Sequence, residues 1–249
     1  MTENSKANNS SSGANIFSGS AIKYIAIIAM AIDHYAWLFV PTQSFLGQFL
    51  HFIGRTTAPV MAFFITEGFH YTKDVRKYFI RLGIFAFISQ FAYNYYNTGR
   101  FLGFYKFSVI TSLMLGLTVL CLYRSEKIPV YIKLPIFLLI LSVSRKCDWG
   151  ESIVWIVLAF EITRGDKLHQ LVSYGGTVLI FKLAPLMYDA LKEPSLIANN
   201  WMKFGMLLPI PLLMLYSGKR GGGKFSKWVF YVFYPLHLVI IAYIRFRTR

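Results

Sequence analysis

Acidic residues are the scarcest chemistry in this chain. There are 11 Asp and Glu against 26 Lys and Arg, and charged residues of both signs make up only 15%. A soluble domain of this size carries nearer ~25% charge and lacks recurrent long apolar runs. The shortage therefore excludes an ordinary soluble fold. Cysteine is almost missing too. Cys121 and Cys147 stand in neither CxxC nor Cys/His spacing, so no disulfide framework and no metal site is implied. The chain has no GxSxG elbow, no P-loop and no HExxH, which removes the common hydrolase, nucleotidase and zinc-protease signatures. No repeat is visible. No basic leader with a cleavage site precedes the first apolar run, so that run is expected to be a retained helix.

What remains is apolar. Hydrophobic residues are 55% of the chain and the mean hydropathy is +0.48. The expected fold class is all-α, a polytopic membrane protein embedded in the lipid bilayer. Residues 1–20, rich in Ser and Asn, are expected to be a disordered tail, and 21–249 a single membrane domain. About nine segments are long or apolar enough to be crossings. They lie near 21–40, 56–71, 78–96, 107–123, 129–143, 150–163, 169–188, 201–216 and 227–245. The short piece FLGQFLHFI within Pro41–Arg55 is expected to lie at the interface. Trp37, Tyr93, Tyr95, Tyr96, Tyr123, Trp201 and Tyr216 fall at segment ends, where an interfacial aromatic belt accounts for them.

The net charge of +15 does not point to nucleic acid. The basic residues cluster between apolar segments, where membrane topology places them. With nine crossings, the side that receives the N-terminus holds about 15 of the 26 basic residues and the other side about 10, with Lys182 inside a segment. The excess predicts a cytoplasmic N-terminus in the cell (inner) membrane.

Within AIKYIAIIAMAIDHYAWLFV (Ala21–Val40), Asp33 and His34 stand side by side. A charge at that depth costs several kcal/mol and normally faces a protein interior or a wet cavity, so it is a functional hypothesis by default. Helical rise carries Arg55, Gln90, Asn94, Asp148 and His237 towards the same outer half, while Glu67 lies nearer the other end. A neutral imidazole takes a proton from an amine or hydroxyl at working pH. Neighbouring helical residues point about 100° apart, so Asp33 serves another residue, with Arg55 the obvious candidate. Asp33 and Arg55 as a structural ion pair are the alternative. Gln90 and Asn94, four apart on one face, are either ligands or helix–helix glue. Lys73, Arg76, Lys77 and Arg81 either mark the cytoplasmic side or attract a polyanion there.

These residues also carry a family likeness. IKYIAIIAMAIDHYAWLF, FIGRTTAPVMAFFITEGFHYTKDVRKYFIRLGIFAFISQFAYN, DWG and FYVFYPLHLVII together resemble the TraX family. The resemblance covers most of residues 22–245 and extends in layout to the wider integral-membrane acyltransferases. It implies an inner-membrane enzyme that acetylates an acceptor from acetyl-CoA. The family's namesake modifies the N-terminus of pilin, and an envelope glycan is the other acceptor expected. By that resemblance His34 matches the catalytic histidine, with Asp33 and Arg55 beside it. Glu67, Gln90, Asn94, Asp148 and His237 are expected to line the substrate side. Lys73, Arg76, Lys77 and Arg81 are expected to draw in the CoA phosphates. The rival class is a small-solute or proton-coupled transporter, because intramembrane Asp, Glu and His also build proton relays. A structural membrane scaffold is a third.

Overall fold

The computed structural model describes residues 16–223 and 226–248, leaving out the Lys227 side chain. Residues 1–15 of the expected tail lie outside them. The chain folds into α1 (Gly19–Phe39), α2 (Phe45–Gly54), α3 (Thr57–Tyr71), α4 (Val75–Thr98), α5 (Val109–Arg124), α6 (Val130–Ser144) and α7 (Ser152–Ile162). Then come α8 (Lys167–Val178), a π turn (Leu179–Leu183), α9 (Ala184–Lys192), α10 (Ser195–Asn200), a 3-10 helix (Trp201–Leu207), α11 (Pro209–Met214) and α12 (Ser226–Arg247). No strand occurs among the described residues. The fold is all-helical, as the composition requires.

Local chemistry sets the ends. Ser18 caps α1 by accepting the Ala21 N–H at 3.3 Å, and Asp166 caps α8 by accepting the His169 N–H at 3.0 Å. Gly99, at φ +73°, ends α4 in the left-handed conformation that glycine adopts without strain. Within the described part of the expected tail, Ile16 and Phe17 donate to the Leu215 carbonyl and Gly19 to that of Lys219.

Four described stretches are long and apolar enough to cross a membrane: Gly19–Phe39, Phe45–Tyr71, Lys167–Lys192 and Trp228–Arg247. α5, α6 and α7 are apolar but shorter, with 16, 15 and 11 residues. An 11-residue helix spans only ~16 Å. Among the described residues the expected count of about nine crossings is therefore not confirmed. The segment expected at 201–216 splits into a 3-10 helix and a six-residue α11 that starts at Pro209 and contains Pro211. Proline lacks the N–H that a continuous helix needs. The piece expected at the interface is instead α2, which joins α3 through a break at Arg55–Thr56 to make the second long stretch.

The outer surface fits the bilayer. Ile28, Ile80, Ile84, Phe87, Leu134, Leu138, Leu139, Val172 and Ile180 are exposed. An apolar surface of this extent in a soluble protein would aggregate. α1, α4 and α12 run parallel and pack together. Phe85 stacks on Tyr231, with ring centroids 4.6 Å apart, near one end, and Tyr95 meets Phe246 at 5.7 Å near the other. One end of the bundle thus holds the starts of α1, α4, α8 and α12. It is called the basic end below. The opposite end, where His34 lies, is called the histidine end.

Candidate active site

α1 and α12 bring His34 and His237 together. His237 Nε2 lies 2.9 Å from His34 Nδ1, and His237 Nδ1 lies 2.7 Å from the Phe233 carbonyl oxygen. A carbonyl only accepts, so His237 Nδ1 carries a hydrogen. Neutral His237 then has a bare Nε2, which accepts the hydrogen on His34 Nδ1. That leaves His34 Nε2 with a free lone pair. The ring is half-buried, and its hydrogen bond to His237 is made through Nδ1. Rings fix the geometry from the sides. His237 stacks on Phe233 at 4.9 Å, and Tyr96 meets His34 edge-on at 5.3 Å while donating its hydroxyl to the His34 carbonyl at 2.6 Å.

Asp33 does not pair with Arg55. Its Oδ1 holds His51 Nδ1 at 2.7 Å. His51 is fully buried, its ring centroid is 4.0 Å from that of Trp37, and its Nε2 is buried with no hydrogen-bond partner among the described residues. Gly54 permits this approach, because a Cβ there would fall 2.2 Å from the Asp33 Cβ. Arg55 instead lies against two indoles, 5.7 Å from Trp37 and 5.4 Å from Trp149, with Nε buried and unpartnered. Asp148, in the α6–α7 turn, accepts the Tyr93 hydroxyl at 3.0 Å. The charges of Asp33, Asp148 and Arg55 all act on His34.

Other expected site residues are engaged elsewhere. The Gln90 amide donates to the Lys106 carbonyl at 2.7 Å and accepts the Ser108 N–H at 3.1 Å. Asn94 donates to the Gly103 carbonyl. Both hold the α4–α5 loop, which is a structural task, and neither is brought to the histidine pair. Tyr93, Tyr96 and Tyr216 are buried rather than a surface belt.

A cavity of about 700 Å³ opens at the basic end. Lys23, Lys73, Arg81 and Arg220 line its mouth, together with Glu67, Tyr71 and Tyr78. Its interior is apolar, formed by Ile27, Met30, Leu82, Ile110 and Leu113, and it reaches Tyr234. The Tyr234 ring is 6.3 Å from that of His34 and 5.7 Å from that of His237. Met30 is one helical turn before His34. The cavity lining thus includes a ring beside the histidine pair, although neither histidine lines it.

None of those four cations has a carboxylate in ion-pairing distance among the described residues. Glu67 is taken by Arg164 at 3.5 Å. Behind it, buried Glu161 holds both His70, at 2.8 Å, and Arg124. Arg81 donates to the Tyr231 hydroxyl at 3.3 Å. Lys23 sits over the Phe64 ring at 4.6 Å. Of the expected basic cluster, Lys73 and Arg81 line the cavity. Arg76 and Lys77 do not, and Lys77 pairs with Asp74 at 3.4 Å.

Sequence reasoning missed His51, Tyr96, Tyr234, Lys23 and Arg220. His51 had a signal: it is a histidine inside an apolar run, four residues before Arg55 and so on the same helix face. Tyr234 and Lys23 had none, because their roles depend on which helices meet.

The model of the TraX protein family matches residues 18–245. The probable fimbrial assembly protein FimC, serogroup H1, of Dichelobacter nodosus is 31% identical over 234 residues, covering 91% of this chain and 95% of that protein. No solved structure matches. With its apolar helices around a histidine pair and a match over nearly its whole length, the chain belongs to the TraX family of proteins.

Proposed function

We propose that this protein is a membrane acyltransferase that draws an acyl-CoA, acetyl-CoA first, into the basic-mouthed cavity and passes the acyl group to an acceptor at the histidine end. One observation carries the reading. The same cavity that has four cations without counter-ions at its mouth ends on the tyrosine that packs against His34 and His237. A multiply charged phosphate head with a thin arm fits a cationic mouth and an apolar interior.

Acetyl-CoA would supply the activated acyl group as a thioester. Lys23, Lys73, Arg81 and Arg220 hold the phosphates. The apolar walls guide the arm and exclude water. His34 Nε2 takes the proton from the acceptor amine or hydroxyl as its nitrogen or oxygen attacks the acyl carbon. The carbon–sulfur bond breaks, and the same proton goes on to the departing thiolate. The products are the acylated acceptor and free CoA. His237 keeps His34 in the tautomer that leaves Nε2 bare. The excess of basic residues on the N-terminal side supports a cytoplasmic mouth and an acceptor presented from outside, in the inner membrane. The fimbrial relative supports a pilin-like acceptor N-terminus.

Purified protein is incubated with acetyl-labelled CoA and amine or hydroxyl acceptors, a pilin N-terminal peptide among them. Free CoA and label on the acceptor are expected. Neither CoA binding nor release, together with solute flux in proteoliposomes lacking CoA, would replace the enzyme by a transporter.

A further inference from the structure

The histidine end carries a second group of cations that the acyl-donor cavity does not use. Arg55 closes α2, Lys203 lies in the 3-10 helix Trp201–Leu207, and Lys182 lies in the π turn of the Lys167–Lys192 stretch. The packing brings these three elements together. A Cβ on Gly205 would fall 2.0 Å from the Phe52 carbonyl oxygen, so the 3-10 helix is pressed onto α2. Gln48 of α2 ties it there, donating to the Asn199 carbonyl at 2.9 Å and accepting the Met202 N–H at 3.2 Å. Lys182 and Met206 line one small cleft, which joins the π turn to the same 3-10 helix. The charges of Arg55 and Lys203 both act on Lys182.

All three side chains are half-buried, and none has a carboxylate in ion-pairing distance among the described residues. Glu151 acts on Lys182 but is held by Arg145 at 3.0 Å. Arg55 keeps a buried unpartnered Nε. Three like charges without counter-ions, two of them inside candidate spans, are costly unless an anion joins them. π turns inside helices are frequent at functional sites. The fully buried His51, with its unpartnered Nε2, is one helical turn from Arg55 on the same face.

We infer that Arg55, Lys182 and Lys203 form an anion-binding site at the histidine end, which takes a phosphate or carboxylate group. This inference rests on the acyl-transfer reading for its purpose, because an anionic group held there would bring the acceptor's amine or hydroxyl to His34. Two sources share the chemistry: the acceptor itself and the headgroup of an anionic lipid.

The test does not need turnover. The full chain is placed in phosphatidylcholine nanodiscs, and the lysine amines are dimethylated and read by mass spectrometry. The probe is glycerol 3-phosphate, with glycerol as the neutral control. Labelling of Lys182 and Lys203 is expected to slow by on the order of tenfold at about ten times the half-saturating probe concentration, because only the free fraction reacts. Exposed Lys192 should not change, and glycerol should protect nothing. Arg55→Gln should remove the protection, with its thermal unfolding showing that it is folded. Phosphatidylglycerol that protects the two lysines by itself, with no further protection by the probe, would assign the anion to lipid. Equal labelling with and without either anion would overturn the site, and would leave the donor cavity and His34 untouched.

Discussion

At the scale of single residues, the site works by controlling which nitrogen carries a hydrogen. The Phe233 carbonyl sets His237, His237 sets His34, and a bare Nε2 results. His237→Phe keeps a ring against Phe233 but removes the acceptor. Losing the partner that orients a metal-bound histidine typically costs 10–100-fold, and the same orienting role is at stake here. Turnover is therefore expected to fall by about that factor while donor affinity is unchanged, read as kcat and KM separately. Asp33 tells a different story. His51→Phe would leave its carboxylate, 14% exposed, without a partner. Removing one member of a buried pair costs ~3 kcal/mol or more. Thermal unfolding in detergent should drop clearly, whereas an unchanged midpoint would mean that Asp33 finds water instead. Asp33 and His34 were legible in the sequence as polar groups where apolar ones belong. The partner of Asp33 was not. A helix places neighbours 100° apart, so Asp33 had to serve another element, and only the packing shows that Gly54 lets α2 close enough for His51 rather than Arg55.

At the scale of elements, close backbone approach and capping decide the geometry. Gly205→Ala would place a Cβ 2.0 Å from the Phe52 carbonyl oxygen, a backbone atom that cannot swing aside. Overpacking of this kind costs ~1–3 kcal/mol. The variant is expected to unfold at lower temperature and to lose the registry of Lys203 with Arg55. The start of the Lys167–Lys192 stretch has a pH signature. Backbone donation from His169 holds the exposed Asp166 carboxyl below its ordinary value of 3.8. The folded pKa is depressed, so the cap is complete above that ordinary value and fades as the pH falls through the folded one. Asp166→Asn is expected to flatten this acid-side loss in a denaturation series, since its cap does not titrate. Helix existence was readable from hydropathy because every long apolar run had to become helix in lipid. Continuity was not. Pro209 and Pro211 break the stretch at 201–216, and α2 joins α3 because Arg55 and Thr56 both keep right-handed helical backbone angles.

At the scale of the whole molecule, charge without counter-ions marks two ends of one bundle. At the basic end it lines a 700 Å³ cavity. Donor affinity should therefore weaken steeply with ionic strength, because salt screens exposed charges within ~10 Å at 0.1 M. Lys23→Gln with Arg220→Gln is expected to lower affinity and flatten that salt dependence, with little change in the turnover of bound donor. Lys73 and Arg81 were legible as part of a basic cluster. Lys23 and Arg220 were not, because 197 residues separate them in sequence and the shared cavity appears only once α1, α3, α4 and α12 have met. The most direct measurement compares wild type with His34→Ala for two readouts on the same samples: equilibrium binding of CoA, and release of free CoA from acetyl-CoA with an acceptor present. If the cavity holds the donor and His34 Nε2 takes the proton, both proteins bind CoA alike and release falls by on the order of 100-fold or more in the variant. Equal release by wild type and a folded His34→Ala would contradict it.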